Sequence, residues 1–356
     1  MRNKYPVPVY VRNTNRYSYG MLRVVALLLL STGLHVSCSV HKGGRQSPPA
    51  GAAGTEFRIA IIPDIQFYTG QAHGGNLKMF QDQIAWIKQH RADSNIVYVA
   101  GMGDTVDETP IDSVKSLEQQ WINASERGYY ALETPAPGIP YGITVGNHDE
   151  ADTAYPQTEA ARYHNHPGIS PVRNTTAYYN KYFGAGHFKN KPWYGGHADI
   201  LGKNNNDCHY DKFTVAGQSY IVLFIPFDNT GTDGEDKDNL MMSWARQVLT
   251  KHKEAKAIIV SHSILKGPSE RDFSPQGLKI YNSVKDMPNV FLLLCGHVTG
   301  EYIRQDVYEG RTITSYLIDC QGKPFGGNGR MSTMRINTAT NRISVHSFSP
   351  YSGEGM

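Results

Sequence analysis

Tyr141-Gly142-Ile143-Thr144-Val145-Gly146-Asn147-His148-Asp149 is the stretch on which the reading of this chain turns. Residues 141–145 are the short, mostly apolar run of a buried strand. At Gly146 the run gives way to an amide, an imidazole and a carboxylate. A hydrophobic core gains nothing from such groups unless they find partners. Their place just beyond a strand end therefore points to a site rather than to packing.

The same arrangement recurs on both sides of this stretch. Residues 57–62 predict a first strand, followed by Asp64 and Gln66, and residues 96–100 predict a second, followed by Gly103, Asp104 and Asp107. Further along, residues 220–225, 257–260 and 290–295 predict strands, the last two leading to His262 and to Gly296-His297. Between the strands lie segments of helical period. Leu77, Phe80, Ile84 and Ile87 share one face, as do Val114, Leu117 and Trp121, then Met241, Trp244 and Val248, with a further helix around Ile280 and Val284. This alternation predicts one α/β domain over residues 56–352, without internal repeats. In open α/β sheets the C-terminal strand ends converge on one crevice, where ligands bind. Glycines 103, 146 and 296 let the backbone turn sharply beside the polar residues.

Two regions break the rhythm. Residues 151–212, rich in Gly, Asn, Pro, Tyr and His, are expected to form a long irregular insertion that shapes a substrate pocket. Beyond residue 300, the segments 302–306, 312–319, 331–337 and 342–348 predict successive antiparallel strands joined by turns such as Glu309-Gly310. Gly326-Gly327-Asn328-Gly329 is a turn rather than a phosphate loop, because no helix follows it.

The chain has 356 residues, 40% of them hydrophobic, and a net charge of +3 with signs mixed throughout. That excludes a dedicated nucleic-acid surface but leaves room for a small anionic substrate. Residues 1–38 read as a signal peptide, with Arg2, Lys4, Arg12, Arg16 and Arg23 ahead of an apolar run, 24–30, too short to span a bilayer; Met21 offers an alternative start. Cys38 either becomes the acylated first residue of a lipoprotein or leaves with the signal peptide. The Gly-, Ser-, Pro- and Ala-rich tether over 39–55 favours acylation, hence export and a lipid anchor in the cell envelope. His35 stands where such a cleavage site usually has an aliphatic residue. Cys208, Cys295 and Cys320 form no disulfide framework or Cys-x-x-Cys site; Cys295 reads as a buried apolar residue, and a Cys208–Cys320 pair stays open.

Asp, Asn and His delivered by five strand ends suit a two-metal hydrolase. Two cations ~4 Å apart clamp a phosphate and lower the pKa of a water. They require a bridging carboxylate together with imidazole and oxygen ligands for Zn, Mn or Fe. His73, His164, His166, His187, His197 and His209, by contrast, are scattered among loops and read as surface or turn residues, and Trp193 as loop packing.

Asp64-Ile65-Gln66, Gly103-Asp104-Thr105-Val106-Asp107, Gly146-Asn147-His148-Asp149, Ser261-His262 and Gly296-His297-Val298-Thr299 appear in order, each after a strand. In this the chain resembles the calcineurin-like metallophosphoesterases over about residues 57–350. The resemblance implies a four-layer α-β-β-α sandwich with two central mixed sheets, and hydrolysis of a small phosphorylated substrate by a metal-activated water. Asp104 would bridge two divalent ions. Asn147, His262 and His297 would complete one site, and Asp64 with Gln66 would serve the other. His148 would protonate the leaving oxygen, Asp149 would orient it, and Asp107 would hydrogen-bond in the turn. Gln66 and Thr299 stand where the family pattern has histidines. Both departures fall on one metal, so that half is expected to take Mn, Mg or Ca, or to stay empty; Glu301 and Tyr68 are candidates to fill it. The rival reading is a non-catalytic anion-binding lipoprotein with an eroded metal site, against which His148 stands as an acid that a binder does not need.

Overall fold

The computed structural model describes residues 56–107, 116–150, 176–199, 204–228, 239–340 and 342–356. The signal-peptide, tether and Cys38 readings lie outside these residues, as do Val114, His164 and His166. No helix among the described residues is long and apolar enough to cross a membrane.

Strand β1 (Glu56–Ile62) leads through a short helix α1 (Gln66–Thr69) to α2 (Leu77–His90) and β2 (Ile96–Gly101). Next come α3 (Leu117–Ala124) and β3 (Tyr141–Ile143). After two short helices, α4 (Ala177–Phe183) and α5 (Ala185–Phe188), the chain forms β4 (Tyr194–His197), β5 (His209–Val215) and β6 (Gln218–Ile225). It then alternates through α6 (Leu240–Lys251), β7 (Lys256–Ser261), α7 (Pro275–Val284) and β8 (Val290–Cys295). The last strands are β9 (Gly300–Tyr308), β10 (Arg311–Asp319), β11 (Met331–Asn337) and β12 (Ile343–Phe348).

These strands make two mixed sheets, ordered β12-β11-β1-β2-β3 and β4-β5-β6-β7-β8-β10-β9. Strand side chains alternate between faces, and the residues of β1 show the consequence. Phe57, Ile59 and Ile61 join a core between the sheets, with Val222, Phe224, Ile258, Val260, Leu292 and Leu294 opposite. Ala60 and Ile62 face outward onto Phe80, Ile84 and Ile87 of α2 and Trp121 of α3. The second sheet repeats the pattern, with Leu223, Ile259 and Leu293 packed on Met241 and Val248 of α6 and Ile280 and Val284 of α7. Burial on both faces is why these strands read as continuous apolar runs, and the four-layer α-β-β-α expectation holds. The helices start where side-chain caps begin them: Asn76 accepts from the Met79 N–H, Ser116 from that of Gln119, and Ser274, ahead of Pro275, from that of Gly277.

Two expectations need correction. The described part of 151–212 is not irregular: it forms α4, α5, β4 and the start of β5, and buries Tyr179, Phe183, Phe188 and Trp193 in the outer core of the first sheet. Helices of seven and four residues are too short to print a period. The C-terminal strands are also not one antiparallel series. Strand β9 pairs antiparallel with β10, but β10 runs parallel to β8, while β11 crosses to the other sheet beside β1. Cys208, Cys295 and Cys320 are all free and buried, so the Cys208–Cys320 pair does not form.

Candidate metal centre

The two sheets are joined at the rim where their parallel strands end. The Phe227 N–H after β6 donates to the Val145 carbonyl after β3 (3.0 Å), while within the first sheet the Ile65 N–H donates to the Asp104 carbonyl (3.1 Å). His262 Nδ1 meets the Met102 carbonyl at 2.7 Å, again from one sheet to the other. An Nδ1 facing a carbonyl carries the proton, which leaves Nε2 pointing at Asp104 Oδ1 and Asn147 Oδ1, each at 3.2 Å. Only a cation, whether a proton or a metal ion, satisfies these atoms together. His297 joins them: one ligand atom each from Asp104, His262 and His297 lies within 4.8 Å of the others.

The backbone is bent to make this possible. Asp104 and His297 sit in the left-handed region at φ +48° and +73°, a cost that non-glycine residues meet mainly at functional sites. A Cβ on Gly146 would lie 2.2 Å from Asp104 Oδ1, and one on Gly296 2.1 Å from Asp64 Oδ1. These two glycines are thus spaces that let the carboxylates approach. Burial pushes the Asp104 carboxyl up, but the charges of His262 and His148 outweigh it and hold the group below the usual carboxylate range. Burial, then the neighbouring His262, pushes His297 down to about 4, which keeps its imidazole neutral and fit to bind a metal.

The other half of the centre is built from oxygen. Asp64 Oδ2 accepts from the His297 N–H at 3.0 Å, while Oδ1 is buried with no hydrogen-bond partner. Gln66 Nε2 donates to Asp104 Oδ2 at 3.2 Å and to Gln321 Oε1, and Gln66 Oε1 is likewise buried and without a partner. Orphaned buried oxygens of this kind fit a divalent cation. Thr299 does not face the centre as a stand-in histidine; its hydroxyl donates to Asp319 Oδ2 at 3.2 Å. Tyr68 donates to the Gly326 carbonyl and accepts from the Gly329 N–H, and the exposed Glu301 accepts from Ser347, so neither fills the gap.

His148 lies at the mouth, its side chain 27% exposed. Its backbone N–H donates to Asp104 Oδ1 at 3.0 Å, and its Nε2 is 3.9 Å from Asp104 Oδ2. The residue behind it is not Asp149: Nδ1 of His148 meets Asp107 Oδ1 at 3.2 Å. Asp149 is buried, and its carboxylate accepts the backbone N–H groups of Thr105 (2.7 Å), Val106 (3.1 Å) and Gly146 (2.9 Å). Burial and then Asp104 push its pKa up to about 7. Asp149 ties two ligand loops together and is a positioning residue.

Asp319 is the residue that sequence reasoning missed. It ends β10, is buried, and accepts from the Gln321 N–H at 2.6 Å. The signal was there, a carboxylate closing an apolar strand, but 312–319 read as part of an antiparallel tail rather than as a parallel strand opening on the rim. Outside the centre, Trp193 packs in the core with its indole N–H on the Tyr141 carbonyl (3.1 Å). His209 is also buried, not at the surface, stacked on Phe224.

Two mixed sheets thus lie between helices, with carboxylate, amide and imidazole groups gathered at the rim. The chain belongs to the calcineurin-like phosphoesterases, whose family model matches residues 57–300. It is 31% identical over 304 residues to an uncharacterised Bacillus subtilis protein, YvnB, covering 83% of this chain and 20% of that one. The chain thus spans about a fifth of the length of the curated relative it matches. Among solved structures, a dimetal phosphatase from Danio rerio aligns at 13% identity and a TM-score of 0.48, over 83% of this chain and 97% of that one. GAP50 of Plasmodium, titled the anchor in the inner membrane complex, aligns at 16% identity and a TM-score of 0.47, over 85% and 87% of the two chains.

Proposed function

We propose that this protein hydrolyses a phosphate ester, with His148 as the general acid. The observation that carries the reading is His148 itself, its side chain 27% exposed, with Asp107 on Nδ1 and Asp104 beside Nε2. Asp64, Asp104, Asn147, His262 and His297 would hold divalent cations, which would supply positive charge to neutralise phosphoryl oxygens and lower the pKa of water. The chain's own residues do the rest. Asp107 accepts from Nδ1–H, which leaves Nε2 as the nitrogen that gives up its proton. Water adds its oxygen to phosphorus and releases a proton to solvent as the bond to the leaving oxygen breaks; that oxygen takes the Nε2 proton, and solvent reprotonates His148. A cleft of about 370 Å³ lined by Phe227, Asp228, Lys266, Gln276 and His297 opens beside the centre and offers room for part of the ester.

In His148→Asn we expect activity on generic phosphomono- and phosphodiesters to fall about 100-fold or more while bound metal is unchanged. Asp107→Asn should cost about tenfold and shift the pH profile of kcat. Metal loss in His148→Asn would make His148 a ligand and refute the assignment; an inactive parent chain that still binds phosphate would favour a binding protein.

We also propose export and anchoring through acylated Cys38, supported by the N-terminal sequence pattern alone. Partition into detergent should be lost in Cys38→Ser. Water-soluble protein from the unaltered gene would exclude the anchor.

A further inference from the structure

We propose that Asp319 completes the second cation position, making that half of the centre an all-oxygen site for a hard divalent ion such as Mn²⁺ or Mg²⁺. The inference rests on the metallophosphoesterase reading and adds to it a ligand outside the family's five motifs.

Four observations lead there. Strand β10 runs parallel to β8, so its C-terminal residue, Asp319, opens on the same rim as His297 beyond β8. Asp319 is then tied into the weaker half from both sides. Thr299, three residues from the start of its motif, donates to Oδ2 at 3.2 Å, and the Gln321 N–H donates to Oδ1 at 2.6 Å. Gln321 in turn receives the Gln66 amide, which also donates to Asp104 Oδ2, so Gln66 lies between the bridging carboxylate and the Asp319 turn. Finally, Asp64 Oδ1 and Gln66 Oε1 are buried and have no partner.

Charge makes the arrangement demanding. Asp64, Asp104 and Asp319 are all buried, and among the described residues neither Asp64 nor Asp319 is paired with a lysine or arginine. Uncompensated buried carboxylates are costly, and a divalent ion beside Asp64 and Asp319 is the partner that offsets their charge. Asp149 is the instructive contrast, since three backbone N–H groups already satisfy it. Where the family pattern places a second histidine, Thr299 holds a carboxylate instead. Exchanging imidazole for carboxylate moves the preference from zinc-class ions toward oxygen-seeking ones.

The test is a Mn²⁺ titration of the full chain, stripped with chelator, followed by calorimetry and by the electron paramagnetic resonance signal of free Mn²⁺. The unaltered chain should bind two ions of unequal affinity. Asp319→Asn keeps the shape and should weaken the second ion about 10- to 100-fold while leaving the first unchanged; the retained first ion reports that the fold is intact. Thr299→Ala should weaken the second ion by less than about threefold, on the scale of a lost supporting hydrogen bond. Two ions bound by Asp319→Asn as tightly as by the parent would overturn the inference and leave the phosphoesterase reading standing. So would a parent that binds a single ion, or a second ion lost in Thr299→Ala but kept in Asp319→Asn. A parent that binds no metal and hydrolyses no phosphate ester would overturn both readings.

Discussion

The two halves of the centre share Asp104 and otherwise differ in kind. On one side His262, His297 and Asn147 offer two imidazoles and an amide oxygen, with His262 fixed by the Met102 carbonyl 2.7 Å away. On the other, Asp64, Gln66 and Asp319 offer only oxygen, and two of those oxygens lack any partner. The first half is fixed at His262 by a backbone carbonyl and at Asp104 and His297 by a strained φ. The second takes backbone N–H groups on Asp64 and Asp319 and side-chain contacts through Gln66, Gln321 and Thr299. The lesson is that one shared carboxylate can serve a nitrogen-rich position and an oxygen-rich one. Ligand softness, rather than charge alone, divides the two.

Asp104→Ala attacks the comparison at its shared point and carries the largest effect. Both ions should be lost, and activity should fall by about 10³-fold or more, since several kcal/mol of charge stabilisation disappear together. Measured metal content decides it: one ion retained at full affinity would mean that Asp104 does not bridge. Gly296→Ala is gentler and one-sided. Its Cβ would meet Asp64 Oδ1 at 2.1 Å, so Asp64 must move. The second ion should weaken about tenfold while the first stays bound, with a matching smaller loss of activity. Equal weakening of both ions would erase the division between the halves.

Most of the first half was legible in the sequence because local signals coincide there. An apolar run, a glycine and a ligand-type residue stand in one short segment at Asp104, Asn147 and His297, and at His262 the ligand follows its strand directly. The two mixed sheets followed from the resemblance that these segments carry. The second half was legible only as a deficit, in Gln66 and Thr299. Asp319 remained hidden, because whether a strand end faces the site depends on which neighbour the strand pairs with. Nothing local separates a β10 parallel to β8 from one in an antiparallel meander. The roles of Asp107 and Asp149 were likewise exchanged, since both are acidic residues close to His148 and only the fold shows which one meets its Nδ1.

By itself, then, the sequence determined the strands other than β4 and β5, and the placement of Asp64, Asp104, Asn147, His262 and His297 just beyond strand ends. Apolar periodicity and glycine-flanked polar residues are written within a few residues of one another, and they mean the same in any fold. Tertiary structure alone decided that Asp107 rather than Asp149 backs His148, that Thr299 turns to Asp319, and that Asp319 enters the rim. Those contacts join residues 20 to 41 positions apart or more. They follow from sheet pairing and burial, which bring side chains together in space without leaving a mark at any one place in the chain.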